Sequence, residues 1–167
     1  KQAKGLLWDV SRIGAPKGWA QGLTGKGVVV GVVDTGVDTE HPAILKNYRG
    51  YNVRLGQSSH TANWFDSTGQ SAQPIDEAGH GTHVAGTIAG QNYGVAKAAT
   101  IVAVRVLDCT GSGYSSSVIA GINWVIASHP GGTGIINLSL GGVANAAIDQ
   151  AVADATAAGL VVVVAAG

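Results

Sequence analysis

Two short strings carry the residues best suited to moving a proton. The first is Val32-Val33-Asp34-Thr35-Gly36-Val37-Asp38. Asp34 follows a run of mostly β-branched residues that starts at Val28, so it stands at the tip of an expected strand. A carboxylate there is held rigidly, and Gly36 permits a sharp turn behind it. The same placement suits a carboxylate that caps a turn, so Asp34 alone leaves both roles open. The second string runs from Gly79 to Gly90 and reads Gly-His-Gly-Thr-His-Val-Ala-Gly-Thr-Ile-Ala-Gly. Its His80 stands at or just before a helix start. Imidazole titrates near neutral pH and can take up and return a proton. A lone histidine is more often structural, so His80 too is open until a partner is found.

The elements that must position these residues follow from periodicity. Val28 to Val33 is a continuous apolar run of strand length, and Ile101 to Leu107, Ile135 to Leu138 and Leu160 to Ala166 are further, mostly apolar, strand-length segments. Between them lie helical stretches. His83 to Ala89 is built from small residues and can pack close to its neighbours. Ser115 to Ala127 has a polar start and apolar residues at Val118, Ile119, Ile122, Val125 and Ile126. Asn145 to Ala158 is Ala-rich, with Gly159 as its C-terminal cap. Leu6 to Gly22 reads as short helical turns, one of them started by Pro16. Tyr48 to Val53 reads as a short edge strand, and Arg54 to Gly79 as surface loop. Strands alternating with helices predict βαβ units: an α/β fold, three-layer αβα, with a mainly parallel sheet. Ligands of such sheets bind beyond the carboxyl ends of the strands. Asp34, Gly141, Gly142 and Gly167 all fall there.

Composition narrows the class further. The 167 residues are 46% hydrophobic and only 12% charged, with 26 glycines and no methionine. Roughly 25% charge is usual for a soluble domain. Such a chain is too apolar for disorder and suits a tightly packed core. The formal net charge is zero and no Lys/Arg cluster stands out, so there is no electrostatic footprint for nucleic acid or an anionic membrane. No apolar run reaches the ~20 residues of a membrane-spanning helix. The polar start, Lys1 to Gly5, has no signal-peptide core, which fits a cytosolic protein or a form whose leader has been removed. The single cysteine, Cys109, is expected to be a buried small hydrophobe or to pair with a cysteine outside the chain.

With these strings in view, the chain resembles the subtilases, the subtilisin and proteinase K superfamily (peptidase S8). The resemblance runs along essentially the whole sequence. Tyr93 to Ala96, Val104 to Gly113 and Ile136 to Gly142 match family segments in order. Val106-Leu107-Asp108-Cys109 and the short Gly90 to Ala96 connection are closer to the proteinase K and aqualysin branch. The resemblance implies a secreted, extracellular serine endopeptidase acting through an Asp-His-Ser triad and an acyl-enzyme. Asp34 and His80 would be its aspartate and histidine, in the order the family uses. His80 would activate the serine and protonate the leaving amine, while Asp34 fixes the imidazole tautomer. His83 resembles a structural histidine. Ser139, Leu140 and Gly141 resemble one edge of a substrate groove and Gly111, Ser112 and Gly113 the other, with Tyr114 near the fourth subsite. Ala165, Ala166 and Gly167 resemble a wall of the primary specificity pocket. Such a groove binds an extended peptide by strand addition.

The resemblance also breaks. The family continues Ala-Ala-Gly with an asparagine of the oxyanion hole, and its serine comes later still. Residues 1–167 are therefore expected to be the N-terminal portion of a single peptidase domain, C-terminally incomplete and inactive alone. Its expected partners are a peptide or protein substrate, the remainder of the domain, and a propeptide or protein inhibitor. The chemistry needs no cofactor. Structural calcium fits the complete enzyme, but Asp9, Asp38 and Asp66 lack a convincing loop pattern, so no metal ligand is assigned.

Three competing readings remain. Asp34-Thr35-Gly36 is also an aspartic-peptidase motif, but that class needs two copies and an all-β setting. His80 and His83, with Asp34, offer a metallohydrolase site, although the His-Glu-x-x-His pattern is missing. A non-catalytic binding module on a protease-like fold is the third, since fold does not establish function.

Overall fold

The computed structural model describes residues 8–129 and 134–166. In chain order the elements are α1 (Trp8–Arg12), α2 (Ala15–Ala20), β1 (Val29–Asp34), a 3₁₀ turn (Leu45–Asn47), β2 (Tyr51–Asn52) and β3 (Gln57–Ser58). Then follow β4 (Trp64–Asp66), α3 (His80–Ala89), β5 (Thr100–Arg105), α4 (Ser115–Ser128), β6 (Gly134–Leu138), α5 (Ala146–Ala157) and β7 (Val161–Val164). Five strands form one sheet in the order β4-β5-β1-β6-β7, every neighbouring pair parallel.

The central strand β1 shows why its sequence is apolar throughout. Val32 and Val33 are both fully buried but on opposite faces. Val30 and Val32 pack with Ala85 and Ala89 of α3. Val33 packs instead with Val118, Ile122 and Val125 of α4, and with Ala151 and Ala155 of α5. A strand covered on both sides cannot alternate polar and apolar residues. The three layers are thus α3, the sheet, and the α4–α5 pair. Helix α4 sits unusually close to the sheet. A Cβ added at Gly121 would lie 2.5 Å from Val106 Cγ1, a contact that only glycine avoids.

Local signals account for the helix ends. Pro16 lies in the first turn of α2. Asn145 Oδ1 accepts the backbone N–H groups of Ala147 and Ile148 at 2.9 and 3.4 Å, capping α5. Gly159, with φ of 87°, reverses the chain after it.

The structure corrects three expectations. The 54–79 segment is not all loop. It contains β4, the fifth strand of the sheet, in which Trp64 is buried on the α3 face and Phe65 stacks on Trp124 of α4 at 5.5 Å between ring centroids. Two aromatics on opposite faces, Trp64 buried and Phe65 partly so, make this strand, although it is only three residues long and flanked by polar sequence. The expected edge strand at 48–53 does not join the main sheet as such. Tyr51–Asn52 pairs antiparallel with Gln57–Ser58 in a separate ribbon, and Tyr48 forms only an isolated bridge to Ile101. Helix α3 begins at His80 rather than His83.

β7 closes the other edge of the sheet. Its Val161, Val163 and Val164 are 55%, 48% and 59% exposed, leaving an apolar edge in solvent.

The core makes a direct prediction. Ile122 is fully buried between α4 and the sheet. Ile122→Ala should lower the unfolding free energy by about 2–5 kcal/mol, measured by chemical denaturation.

Candidate active site

The site is built where β1 ends against the start of α3. Asp34 is fully buried at the strand tip, and its backbone carbonyl accepts the N–H groups of Val106 and Leu107 at 2.8 and 3.2 Å. Its side-chain Oδ1 accepts the Thr35 N–H at 2.7 Å. The same oxygen lies 2.7 Å from Nδ1 of His80. A carboxylate oxygen only accepts, so Nδ1 carries the proton of that bond. Nε2 is then left with its lone pair, the state required of a general base. The His80 side chain is 54% exposed while Asp34 is wholly covered, so the pair runs from the protein interior to solvent.

A network holds α3 in this position. Thr35 Oγ1 accepts the Gly81 N–H at 3.0 Å and donates to Asp76 Oδ1 at 2.8 Å. Asp76 also accepts from Gly79 N–H at 2.8 Å, Thr82 N–H at 2.8 Å and Thr82 Oγ1 at 2.6 Å. Thr82 Oγ1 in turn accepts the Asp38 N–H at 2.9 Å. Burial pushes the Asp76 carboxyl up, but the hydrogen bonds from Thr82, Thr35 and Gly79 outweigh it and hold the group below the usual carboxylate range. The approach is close enough that a Cβ at Gly81 would fall 2.0 Å from the Gly36 carbonyl oxygen. Sequence reasoning passed over Asp76. It lies four residues before α3, whose N-cap is Gly79, so it does not fit the usual capping pattern.

His80 opens onto a broad groove. Gly111, Ser112 and Gly113 form one side, with Tyr114 80% exposed beside them. Ser139, Leu140 and Gly141 form the other, and Ala165 also lines it. Ala166 is exposed beyond β7 and Gly167 lies outside the described residues. The 108–112 turn is tied by Asp108, whose Oδ1 accepts from Thr110 N–H, Thr110 Oγ1 and Ser112 N–H at 2.8, 2.6 and 3.1 Å. Those bonds hold the Asp108 carboxyl low, the Thr110 hydroxyl contributing most. Cys109 is exposed on this turn with a free thiol, so the expected burial fails: the turn stands above the sheet and offers no core to enter.

Histidine His83 lines a different groove, with His41 and Tyr93. Among the described residues no three His, Cys, Asp or Glu side chains converge as metal ligands. Asp9 and Asp38 each accept a nearby backbone N–H, and both oxygens of Asp66 serve the 68–71 loop.

A buried aspartate, a histidine bonded to it and a flanking groove meet at the carboxyl ends of the parallel strands of an α/β fold. Residues 25–167 match the Subtilase family, Peptidase S8, and the chain belongs to that family. It is 51% identical to the extracellular serine proteinase of Thermus sp. (strain Rt41A) over 144 residues, which is 86% of this chain and 32% of that protein. It is 40% identical to alkaline serine exoprotease A of Vibrio alginolyticus over 166 residues, 96% of this chain and 28% of that protein. A crystal structure of a cold-adapted subtilisin-like serine proteinase superposes with a TM-score of 0.73 at 42% identity, covering 87% of this chain and 48% of that one. The fold is therefore subtilisin-like. The chain spans about a third of the length of these curated relatives.

The Asp76 network has a pH signature. A carboxyl held low in the folded state stabilises it above the unfolded pKa of about 3.9, and that contribution disappears as pH falls through the lower folded value. Asp76→Asn should therefore be less stable at neutral pH. Its thermal midpoint should also fall less steeply below about pH 4 than that of the unsubstituted protein.

Proposed function

We propose that the protein is a secreted serine endopeptidase in which Asp34 and His80 form the proton-handling part of an Asp-His-Ser triad. The observation that carries this reading is the 2.7 Å bond between buried Asp34 and His80, whose ring opens onto the groove. Asp34 fixes the tautomer and stabilises the imidazolium as it forms. Nε2 of His80 removes the proton of a serine hydroxyl as the oxygen attacks the peptide carbonyl. The same proton passes to the leaving amine as the C–N bond breaks and an acyl-enzyme remains. Water, activated by the same imidazole, then releases the acid. None of these steps needs a cofactor.

The serine and the asparagine of the oxyanion hole belong to sequence outside residues 1–167. Ser139 sits across the groove beside the backbone that receives substrate, and Ser112 is on the opposite edge. In this reading residues 1–167 form the N-terminal portion of the peptidase domain and do not hydrolyse peptides alone. An extended peptide or protein substrate adds as a strand between 111–113 and 139–141, its backbone supplying affinity and its side chains specificity. Ala165 and Ala166 wall the primary pocket, which favours apolar or aromatic side chains. A propeptide or protein inhibitor would enter the same groove in extended form. Extracellular action is supported by the name of the Thermus relative.

Active-site labelling tests the reading. The full-length protein should react with a fluorophosphonate and hydrolyse peptides. Asp34→Asn should lower kcat about 10⁴-fold, the loss a wrong histidine tautomer causes in a triad. Purified residues 1–167 should do neither. Turnover by that fragment, abolished by His80→Ala, would overturn the external serine. An unlabelled, inactive full-length protein would instead favour a binding module.

A further inference from the structure

Asp34 has a neighbour that the proposed reaction does not use. Arg105 ends β5 and is the register partner of Asp34 across the parallel pair. Both side chains are fully buried. Val33, Val104 and Val106 face Gly121 of α4, so Asp34 and Arg105, one residue on from Val33 and Val104, rise from the opposite face. That face lies under α3, whose Gly81 approaches Asp34 Cβ.

Among the described residues, the buried side-chain polar atoms without a hydrogen-bond partner are Asp34 Oδ2, Arg105 Nε and Arg105 Nη1. All belong to this one register pair, an anionic acceptor and cationic donors on the same face. The remaining nitrogen, Nη2, donates to Gln70 Oε1 at 2.6 Å and to Glu77 Oε2 at 3.0 Å. Glu77 is 56% exposed, so water screens it and weakens its compensation of a buried cation. Asp66, the other register partner of Arg105, commits both carboxylate oxygens to the 68–71 loop. Asp34 is thus the fully buried acid one strand over from a fully buried cation, on the same face and with no direct ion pair between them among the described residues.

We propose that Arg105 is a positioning residue for the Asp34–His80 pair. Its buried positive charge sits on the same sheet face as Asp34 and sets the field in which Oδ1 holds His80. The inference rests on the reading of this pair as a proton relay. The charged and titratable groups packed around it are Asp34 from β1, Asp66 from β4, Asp76 and Glu77 before α3, His80 on α3, and Asp108 after β5. Removing a cation from this set makes the imidazole hold its proton more tightly. The acid limb of kcat/KM, set by His80, then moves to higher pH.

The test is an NMR titration of the His80 imidazole in the full-length protein, alongside the pH profile of kcat/KM. Arg105→Gln should raise the His80 midpoint by about one pH unit. Arg105→Lys, which keeps the charge, should leave it in place. Glu77→Gln, a surface change that unscreens Arg105, should move it down, and so covers the case in which Arg105→Gln fails to fold. A purely structural Arg105 would lower thermal stability in its variants with the His80 midpoint unmoved in all three, and that result overturns the proposal. The NMR readout does not require turnover, so loss of the peptidase reading would be seen separately, as an inactive protein whose His80 still responds to Arg105.

Discussion

The structure depends on carrying one carboxylate out of water at the tip of the central strand. An ionised side chain in the interior is costly unless hydrogen bonds and opposite charge replace its hydration. Asp34 meets that demand with a backbone N–H one residue away and an imidazole from another element. The second partner comes only with α3 in place, so the position of α3 and the burial of Asp34 are one problem. The chain solves it with short side chains. Thr35 reaches α3 from one end of the junction and Thr82 reaches back from the other, and Asp76 gathers both.

In the proposed reaction, rigidity at this junction has a mechanistic use. A general base works when its lone pair is already aimed and its tautomer already chosen. The Asp34–His80 bond chooses the tautomer, and the packing of Gly81 against Gly36 limits how far the ring's helix can move. The groove edges are stabilised differently. The 111–113 side hangs on hydrogen bonds to Asp108 rather than on core packing, and the 139–141 side extends directly from β6. One edge is held by polar bonds in a turn and the other by the sheet.

The two edges of the sheet are also unequal. At β4 the edge is shielded by Trp64, the Phe65–Trp124 stack and the loop that Asp66 caps. At β7 valines remain half in solvent. An edge strand with unpaired backbone and exposed valines is a surface that further chain can extend. It lies next to β6, the strand that leads into the groove.

Most of the frame was legible in the residues themselves. Valine- and isoleucine-rich runs marked β1, β5, β6 and β7; in β1 and β5 the cause is burial on both faces, which admits little else. The Asn145 cap and Gly159 bounded α5 through purely local backbone chemistry. Asp34 and His80 stood out from their strings and their motif resemblance. Only the folded chain decided the rest, because it involves partners far apart in sequence. β4 exists since Trp64 and Phe65 find cores on opposite faces, which a polar-looking loop does not announce. Cys109 is exposed because the turn tied by Asp108 lifts it off the sheet. Asp76 becomes the fastener of α3, and Arg105 the buried companion of Asp34, through strand register and loop placement. Local sequence chooses the elements, because propensity and caps act over a few residues. Burial and charge pairing across the sheet choose which side chains meet.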